Sequence, residues 1–406
     1  MAFSKSFGFC TARWTSSGIS RPGRAPDTGT EARRESLLQM KKILHVIDSL
    51  HLGGAQEVVL NLATCGDREH FYHEVATMHG HGVYWERMSV LGIPLHSLSP
   101  HKLFPLYAAS LPVLLLRGRF DILHCHLVAS NVFAKPVGAL CRVPVILNHD
   151  HTNDDYRANN RLRLALDTLS NRLATHLIAV SDSCRKFLVE RERVPVEKIT
   201  LIQNAVDTAR YSKSRGTRAE ARRKLGLPAG APVVAGVGRL NPQKNFSLFL
   251  EVAGEVSKRH PDAVFLLAGE GPEEELLRRR GAGLGERLVF SGYVADTRLV
   301  YLAADVLLMP SLFEGLPMTL LEAMAMEVPV VASALDGIAE VVGDGTDGFL
   351  VPSGACGHFA DRVCRLLEDP ELAARIGRAA SEKISFRFSA ARMCAEVEEI
   401  YRRFSG

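Results

Sequence analysis

The chain alternates between short apolar runs and longer segments in which apolar residues recur with helical spacing. Continuous apolar runs of this length are typical of buried strands, and the spacing between them is typical of amphipathic helices. The predicted strands occupy residues 43–47, 73–78, 122–124, 145–147, 177–180, 199–202, 233–237, 264–268, 289–291, 305–310 and 328–332. Strands and helices that alternate in this way form doubly wound parallel sheets. We therefore predict an α/β protein.

The same pattern divides the chain into two Rossmann-like domains. With 406 residues, of which 47% are apolar, the chain is long enough to bury two cores. A polar, charged segment at 215–223 suits a connection between them. The predicted domains span residues 40–212 and 213–387, and a last helix occupies 388–406.

Residues 1–39 differ from the rest of the chain. Ser, Gly, Arg and Thr dominate the segment, and it shows no apolar period. It lacks the continuous apolar core of a secretory signal, whereas its Arg-rich, acid-poor composition also fits an organelle transit peptide. We predict a disordered extension, so a chain that starts at Met40 should keep its fold and activity.

The net charge of +4 is unevenly distributed. Residues 40–215 carry +5 and residues 216–406 carry −4. A basic first half fits an anionic acceptor or a membrane surface, and simple solvated charge accounts for it equally well. The eight cysteines show neither a C-x-x-C pair nor zinc-site spacing, which indicates a reducing compartment. We expect no nucleic-acid partner.

Two segments of the first half are candidates for surface contacts. No run reaches the roughly 18 apolar residues that span a bilayer. The longest, 103–116, is flanked by Lys102, Arg117 and Arg119, and suits either a membrane interface or a buried helix at the domain surface. A second predicted helix, 155–173, has an arginine-rich face that suits an anionic acceptor or ordinary solvation.

Candidate chemistry is concentrated in the segment FEGLPMTLLEAMAM, residues 313–326. Pro317 suits the first position of a helix, so the three amides that follow it would be free to bind a phosphate. Glu314 precedes this helix and Glu322 lies about one turn inside it. Two carboxylates beside an anion-binding helix end suit a ligand with hydroxyls and a diphosphate. The alternative is a buried amphipathic helix that Glu314 caps.

A cationic loop follows the predicted strand 233–237. It reads Gly-Arg-Leu-Asn-Pro-Gln-Lys-Asn from Gly238, and a helix follows it. The Arg239 guanidinium offers a planar fork of donors and Lys244 a compact charge. A lysine at a helix start opposes the helix dipole unless an anion binds there. The pair is therefore a candidate diphosphate site, with ordinary surface charge as the alternative.

Histidines cluster at the ends of two predicted strands. His124 and His126 end one strand, and His149 and His151 follow the next. Ligands of open α/β sheets bind at the carboxyl ends of strands, where an imidazole can donate to a sugar hydroxyl or a phosphate. A metal site would need three of these side chains to converge, and we do not expect one.

Two adjacent glycines, Gly53 and Gly54, follow the first strand. They do not form a G-x-G-x-x-G pattern, so a dinucleotide site has no support. Adjacent glycines permit either close approach of the backbone to a ligand or a tight structural turn.

Together these segments resemble the retaining glycosyltransferases of GT-B family 4, over about residues 43–401. The segment around Glu314 and Glu322 resembles the E-x7-E motif of that family, and the cationic loop resembles its G-R-x-x-x-x-K-N stretch. The resemblance implies the GT-B fold, in which two Rossmann-like domains face each other across a cleft. It also implies that the helix 388–406 packs back on the first domain. The linker departs from the family pattern at Gln203 and Ala205.

The resemblance also implies a role for each candidate residue. Glu314 would lie near the donor sugar, Glu322 would bind the nucleotide ribose, and Arg239 and Lys244 would neutralise the diphosphate. Either His149 or His151 would be the histidine of the cleft. The other implied donor-side residues are Gly238, Gly315, Leu316, Pro317, Met318, Thr319, Leu320 and Val294. The implied acceptor-side residues are Gly53, Gly54 and His126.

The activity implied by the resemblance is transfer of a sugar from a nucleoside diphosphate, UDP or GDP, with retention at the anomeric carbon. The acceptor would be a saccharide or a lipid-linked molecule in cell-surface polysaccharide or glycolipid biosynthesis. No cofactor and no protein-bound metal are implied. We expect a cytoplasmic protein, with peripheral contact to the inner face of the plasma membrane. The alternatives are a nucleotide-sugar epimerase, a sugar phosphorylase or a non-catalytic sugar-nucleotide binding protein.

Overall fold

The computed structural model describes residues 40–51, 53–99, 104–151 and 161–406. Within these ranges the chain forms two parallel sheets with helices between the strands, one of seven strands and one of six. The predicted α/β class and its two doubly wound sheets are therefore confirmed. The predictions for residues 1–39 lie outside the described residues, as does the beginning of the predicted basic helix 155–173.

The first sheet is built from the first half of the chain in the order β3-β2-β1-β4-β5-β6-β7. Its strands are β1 (Lys41–Ile47), β2 (Phe71–Thr77), β3 (Leu95–Ser97), β4 (Ile122–His126), β5 (Val145–Asp150), β6 (His176–Ala179) and β7 (Ile199–Leu201). Its helices are α1 (Gly54–Cys65), α2 (Val83–Val90), α3 (Phe104–Gly118), α4 (Val128–Leu140), α5 (Arg161–Asn171) and α6 (Asp182–Glu190).

The second sheet has the order β10-β9-β8-β11-β12-β13. Its strands are β8 (Val233–Val237), β9 (Val264–Ala268), β10 (Leu288–Gly292), β11 (Val306–Met309), β12 (Val330–Ser333) and β13 (Phe349–Val351). The helices are α7 (Arg218–Lys224), α8 (Phe246–Arg259), α9 (Glu274–Arg280), α10 (Arg298–Ala303), α11 (Met318–Ala325), α12 (Asp336–Ala339), α13 (Cys356–Glu368), α14 (Pro370–Arg387) and α15 (Ala390–Ser405).

Burial explains why the central strands were visible as apolar runs. Every residue of β4, β8, β9 and β11 is buried. Parallel strands are covered by helices on both faces, so they read as continuous apolar segments rather than as alternating ones. The edge strands β3 and β13 are only three residues long and were not predicted.

The segment 215–223 is not the simple polar connection that its composition indicated. Thr217 caps helix α7 by accepting a hydrogen bond from the Glu220 amide. The side chain of Arg222 is only 2% exposed, because its guanidinium donates to the Asp305 carboxylate at 3.0 Å and to the Ala303 carbonyl at 3.1 Å. The arginine is therefore part of the second domain's framework.

The last helix, α15, lies against the first sheet. Two segments of the chain pair where it leaves the second domain, because Val206 donates to the Phe388 carbonyl at 2.9 Å and accepts from the Ala390 amide at 2.9 Å. Further along α15, Glu398 accepts a hydrogen bond from the Asp67 amide at 2.6 Å. Tyr401 is fully buried and packs on the Phe71 ring of β2. The helix thus ties the second domain to the first.

Candidate active site

Lys244 and Glu314 form a buried ion pair at the strand ends of the second sheet. The Lys244 Nζ lies 2.6 Å from Glu314 Oε1, and their side chains are 15% and 6% exposed. Glu314 Oε1 also accepts from the Ser311 hydroxyl at 2.8 Å. Gly238 has a φ of +147°, and a Cβ at this position would lie 3.0 Å from the Lys244 Cε. The glycine therefore leaves room for the lysine side chain to reach the glutamate.

Arg239 follows Gly238 in the cationic loop and is exposed. Its guanidinium has no hydrogen bond or ion pair with any residue that the structure describes. The two predicted cations therefore differ: Lys244 is held by a carboxylate, whereas Arg239 is available to a ligand.

The helix α11 begins one residue later than predicted. Pro317, with φ −73° and ψ 128°, is the N-cap rather than the first helical residue. The Leu320 amide donates to the Pro317 carbonyl at 3.2 Å. Of the three amides predicted to be free, only those of Met318 and Thr319 lack a partner among the described residues. The Thr319 hydroxyl is also buried without a partner there, which leaves three donors at the helix tip.

Glu322 lies inside α11 and is 6% exposed. One carboxylate oxygen accepts from the Tyr301 hydroxyl at 2.7 Å and from the Thr297 hydroxyl at 3.3 Å. Burial and, to a smaller extent, the negative charge of Glu57 together raise the pKa of Glu322 to about 7. The carboxyl group therefore titrates near neutral pH.

Sequence reasoning did not find Glu57, which contributes to the site from helix α1 of the first domain. Its carboxylate is 3% exposed and binds Arg87 and Arg210 at 3.1 Å each, as well as the Tyr84 hydroxyl at 2.6 Å. The only signal was its place three residues after the Gly-Gly pair. Arg87 and Arg210 are far from it in sequence, so nothing local indicated the cluster.

The two domains meet directly at the candidate site. A Cβ on Gly54, the first residue of α1, would lie 3.1 Å from the Met318 Cγ at the start of α11. A Cβ on Gly315 would lie 2.9 Å from the His151 carbonyl oxygen. The structure therefore brings Gly54 of the first-domain glycine loop and the backbone of His151 to the E-x7-E segment. Gly53, which precedes α1, has an extended backbone with φ 168°.

The side chains of all four predicted histidines are buried. His126 is fully buried, between His45 and His151, so it does not face an acceptor directly. Both ring nitrogens of His149 are buried without a partner among the described residues. Burial lowers the pKa of His151 to about 4 and holds the pKa of His149 well below its ordinary value. These imidazoles are neutral at physiological pH.

The two departures from the family linker pattern have a structural reason. Gln203 Nε2 donates to Glu340 at 3.1 Å, and the same carboxylate accepts from the Asp182 amide at 2.9 Å. Glu340 of the second domain thereby binds the beginning of helix α6 in the first. Ala205 is 1% exposed in the core, and the adjacent Asn204 donates to the Leu316 carbonyl at 2.9 Å.

Val294, predicted near the base, follows strand β10. Gly292 has a φ of +63°, which turns the chain, and the next amide, that of Tyr293, donates to Glu270 at 3.3 Å. Val294 is partly buried against the core of the second domain. Its side chain is therefore held in place, at the end of a strand of that sheet.

Two doubly wound parallel sheets whose domains meet at the tip of α11 are the arrangement of the GT-B class of glycosyltransferases. The family model described as "Glycosyl transferases group 1" matches residues 217–383, and the one described as "Glycosyltransferase Family 4" matches residues 52–210. The chain belongs to this group 1, family 4 type of glycosyltransferase.

Curated relatives carry the same kind of name. Over 238 residues the chain is 30% identical to the alpha-D-kanosaminyltransferase of Streptomyces kanamyceticus, covering 57% of this chain and 61% of that protein. It is 26% identical over 304 residues to the UDP-Gal:alpha-D-GlcNAc-diphosphoundecaprenol alpha-1,3-galactosyltransferase of Escherichia coli, covering 72% of this chain and 78% of the relative.

A solved structure supports the fold. The crystal structure of Anabaena Alr3699/HepE in complex with UDP-glucose superposes with a TM-score of 0.80 at 23% sequence identity. The superposition covers 89% of this chain and 99% of that one. The predicted GT-B architecture is thus confirmed.

Proposed function

We propose that this glycosyltransferase moves a sugar from UDP or GDP to a saccharide or lipid-linked acceptor, with retention at the anomeric carbon. The observation that carries the proposal is the convergence of the Lys244–Glu314 ion pair, the α11 tip and the first-domain residues Gly54 and His151. Two relatives support the donor and acceptor classes, since one is named for UDP-Gal and a diphosphoundecaprenol acceptor and another was crystallised with UDP-glucose.

In the proposed reaction the bond between the anomeric carbon and the diphosphate breaks while a bond to the acceptor oxygen forms on the same face. The diphosphate gains charge, which Arg239, Lys244 and the two free α11 amides stabilise. Without donor, Lys244 is paired with Glu314. A bound diphosphate competes for the lysine and frees Glu314 to orient the sugar hydroxyls. The departing phosphate takes the acceptor proton.

Cations and amides of the chain itself neutralise the leaving group in this mechanism, so we propose that no dissociable cofactor is required. The expected result is that a chelator added to the assay leaves the transfer rate unchanged. Glu322 would bind the ribose, because a carboxylate accepts hydrogen bonds from adjacent hydroxyls.

A panel of UDP-, GDP- and ADP-sugars in a thermal-shift assay tests the donor assignment. A ligand that binds the folded state raises the melting temperature with its concentration. The donor so identified is then incubated alone and with acceptors, and the anomeric configuration of the product is read by NMR. Product formed from donor alone would indicate an epimerase. Inversion at the anomeric carbon would contradict the retaining mechanism.

The first domain has a surface that suits a lipid-linked acceptor. Leu162, Leu166 and Leu169 of α5 are 72%, 44% and 58% exposed, and their spacing places them on one helix face. Arg161 lies beside them. Exposed leucines with basic neighbours bind anionic membrane interfaces. None of the helices in the described ranges has the length and apolar content needed to cross a bilayer.

On this surface we base the proposal that the enzyme works at the cytoplasmic face of the plasma membrane. The test is co-sedimentation with vesicles of anionic and of neutral lipid. Binding to anionic vesicles should fall severalfold when Leu162 and Leu166 are both changed to Ser. Leu140→Ser is the matched control, because Leu140 is 84% exposed at the end of α4. If Leu140→Ser lowered binding to anionic vesicles as much as the double variant does, the assignment of this surface would be contradicted.

A further inference from the structure

Histidines form a continuous group across four neighbouring strands of the first sheet. In the strand register His45 lies beside His124, and His126 lies beside His149. In most pairs of adjacent rings, the ring centroids lie 4.3 to 5.3 Å apart. The members of the group, all buried, are His45, His73, His124, His126, His149 and His151.

In three of these rings, those of His45, His124 and His126, one nitrogen faces the other two rings. The second nitrogen of each ring is hydrogen-bonded elsewhere. His45 Nδ1 lies 3.0 Å from His126 Nε2. The other nitrogen of His45 bonds His73 at 2.9 Å, and the other nitrogen of His126 bonds His151 at 3.2 Å. His124 Nδ1 bonds the Tyr401 hydroxyl of α15 at 2.7 Å. Its Nε2 is buried and has no partner in the described chain.

We propose that His45, His124 and His126 bind one divalent first-row transition metal ion, of which Zn²⁺ is the best example. Donor atoms of these three residues all lie within 4.8 Å of one another. Zinc–nitrogen bonds of about 2.0–2.1 Å in tetrahedral geometry place ligand nitrogens roughly 3.3 Å apart. The 3.0 Å between His45 Nδ1 and His126 Nε2 needs only a small adjustment to meet this distance.

The surroundings of the three imidazoles match what a metal requires. Metal-binding histidines usually have their second nitrogen fixed by a hydrogen bond, and here His73, Tyr401 and His151 provide these bonds. Burial, with a smaller contribution from neighbouring imidazoles, holds the pKa of all three ligands well below the ordinary value. They are therefore in the neutral form that coordinates metals at neutral pH. An imidazole-only set selects zinc, copper, nickel or cobalt over magnesium or calcium.

A second group, His126, His149 and His151, also brings donor atoms within 4.8 Å. Neither nitrogen of His149 has a hydrogen-bond partner among the described residues, so no hydrogen bond orients its ring. The first group is better organised for this reason. A metal there would join strands β1 and β4 and, through Tyr401, helix α15. It would therefore stabilise the docking of α15 and take no part in sugar transfer.

The test uses the full chain without an affinity tag, stripped of metal by a chelator and then titrated with Co²⁺. Visible absorption reports the geometry of cobalt, and calorimetry with Zn²⁺ gives the affinity. The expected result is one ion per chain and a rise in melting temperature with metal concentration. His45→Gln and His124→Gln should each weaken binding at least 100-fold. His176→Gln should not, because His176 is a buried histidine outside the group, bonded to Thr200.

Tyr401→Phe keeps all three ligands and removes only the hydrogen bond to His124, so it decides the question if the histidine variants do not fold. Loss of such a bond should lower the affinity about 10–100-fold. Binding of fewer than one ion in ten chains would overturn the proposal. Binding that survives His45→Gln and His124→Gln but is lost in His149→Gln would overturn it too, in favour of the second group. These measurements do not depend on transferase activity.

Discussion

At the scale of single residues, the proposed chemistry depends most on Lys244. Its Nζ is buried against Glu314, where water screens charge weakly. Lys244→Ala should lower turnover about 10²- to 10³-fold, the loss typical of one donor to a developing anion. The fold-loss in donor affinity should be no larger than the fold-loss in turnover. Steady-state kinetics of the variant with the identified donor measure both effects.

Lys224→Ala is the matched control for this substitution. Lys224 pairs with Glu220 on the surface of α7, with both side chains about half exposed, so its removal should leave the kinetics unchanged. Arg239→Ala tests the second cation in the same way. Unchanged kinetics in both Lys244→Ala and Arg239→Ala would contradict the diphosphate assignment.

Glu322 gives a pH-dependent prediction. Burial, reinforced by Glu57, raises its pKa to about 7 from a reference value of 4.5. Between these values the unfolded chain is ionised while the folded chain keeps the proton, so this group makes stability fall as pH rises from about 4.5 through 7. Glu322→Gln removes the penalty and should raise the free energy of unfolding at pH 8 by up to about 3 kcal/mol. At pH 4 it should change little.

The same ionisation should control nucleotide binding. The carboxylate accepts hydrogen bonds from ribose hydroxyls better than the protonated acid does, so affinity should increase as pH rises through 7. In Glu322→Gln this pH dependence should disappear. Calorimetric titrations with the nucleotide between pH 5.5 and 8.5 measure it. Glu57→Gln serves as control. Removal of that charge should lower the pKa of Glu322, so the rise in nucleotide affinity should occur at lower pH.

The site residues that the sequence indicated lie close together along the chain, whereas those that it did not indicate are brought together only by folding. Arg239, Lys244, Glu314 and Glu322 lie in two continuous segments that follow strands, so their spacing was readable. Glu57 depends on Arg87 and Arg210, which only the folded chain brings to it. For the same reason the sequence did not indicate that His45 converges with His124 and His126. The expectation of no metal site came from the family resemblance.

At the scale of elements, the E-x7-E loop of the second domain lies close to the end of strand β5 of the first. Gly315→Ala would place a Cβ 2.9 Å from the His151 carbonyl oxygen, and backbone at that distance must move. Misplacement of a reacting centre by about 1 Å costs roughly 10²-fold in rate, so this is the upper limit for the smaller shift needed here. Turnover should fall accordingly while the melting temperature changes little, as kinetics and thermal unfolding together will show.

Gly283→Ala is the control, because a Cβ there would meet nothing within 4 Å. Its effect on stability should lie within about 0.5 kcal/mol, as for ordinary surface substitutions. If Gly315→Ala retained full turnover, the loop would not be held against β5 during catalysis.

Strands could be predicted where the sheet is buried on both faces, because such strands are continuous apolar runs, as in β4 and β8. The edge strands β3 and β13, of three residues each, were not predicted, whereas the equally short β7 was. The segment 215–223 was predicted as a connection between the domains. Its composition could not show that the Arg222 guanidinium is buried on Asp305 and a carbonyl. Composition describes residue types, and only contacts show which charges are paired inside.

At the scale of the whole molecule, Glu340 connects the two domains on the side of helix α6. Its carboxylate accepts from the Asp182 and Ser183 amides and from Gln203, at 2.9 to 3.3 Å. A carboxylate at a helix N-terminus contributes about 1–2 kcal/mol. Because this contact crosses between domains, Glu340→Ala should favour a more open arrangement rather than unfold either one.

The expected outcome for Glu340→Ala is a raised KM for the donor and a larger radius of gyration in solution scattering, with the melting temperature little changed. Glu371→Ala is the comparison, since Glu371 also occupies the first turn of a helix, α14, but is exposed. Saturating donor should restore the compact form of Glu340→Ala, because a ligand held by both domains supplies the closing free energy that the carboxylate no longer provides. An unchanged radius and KM would mean that the remaining contacts, led by Asn204 on the Leu316 carbonyl and by α15, hold the domains together alone.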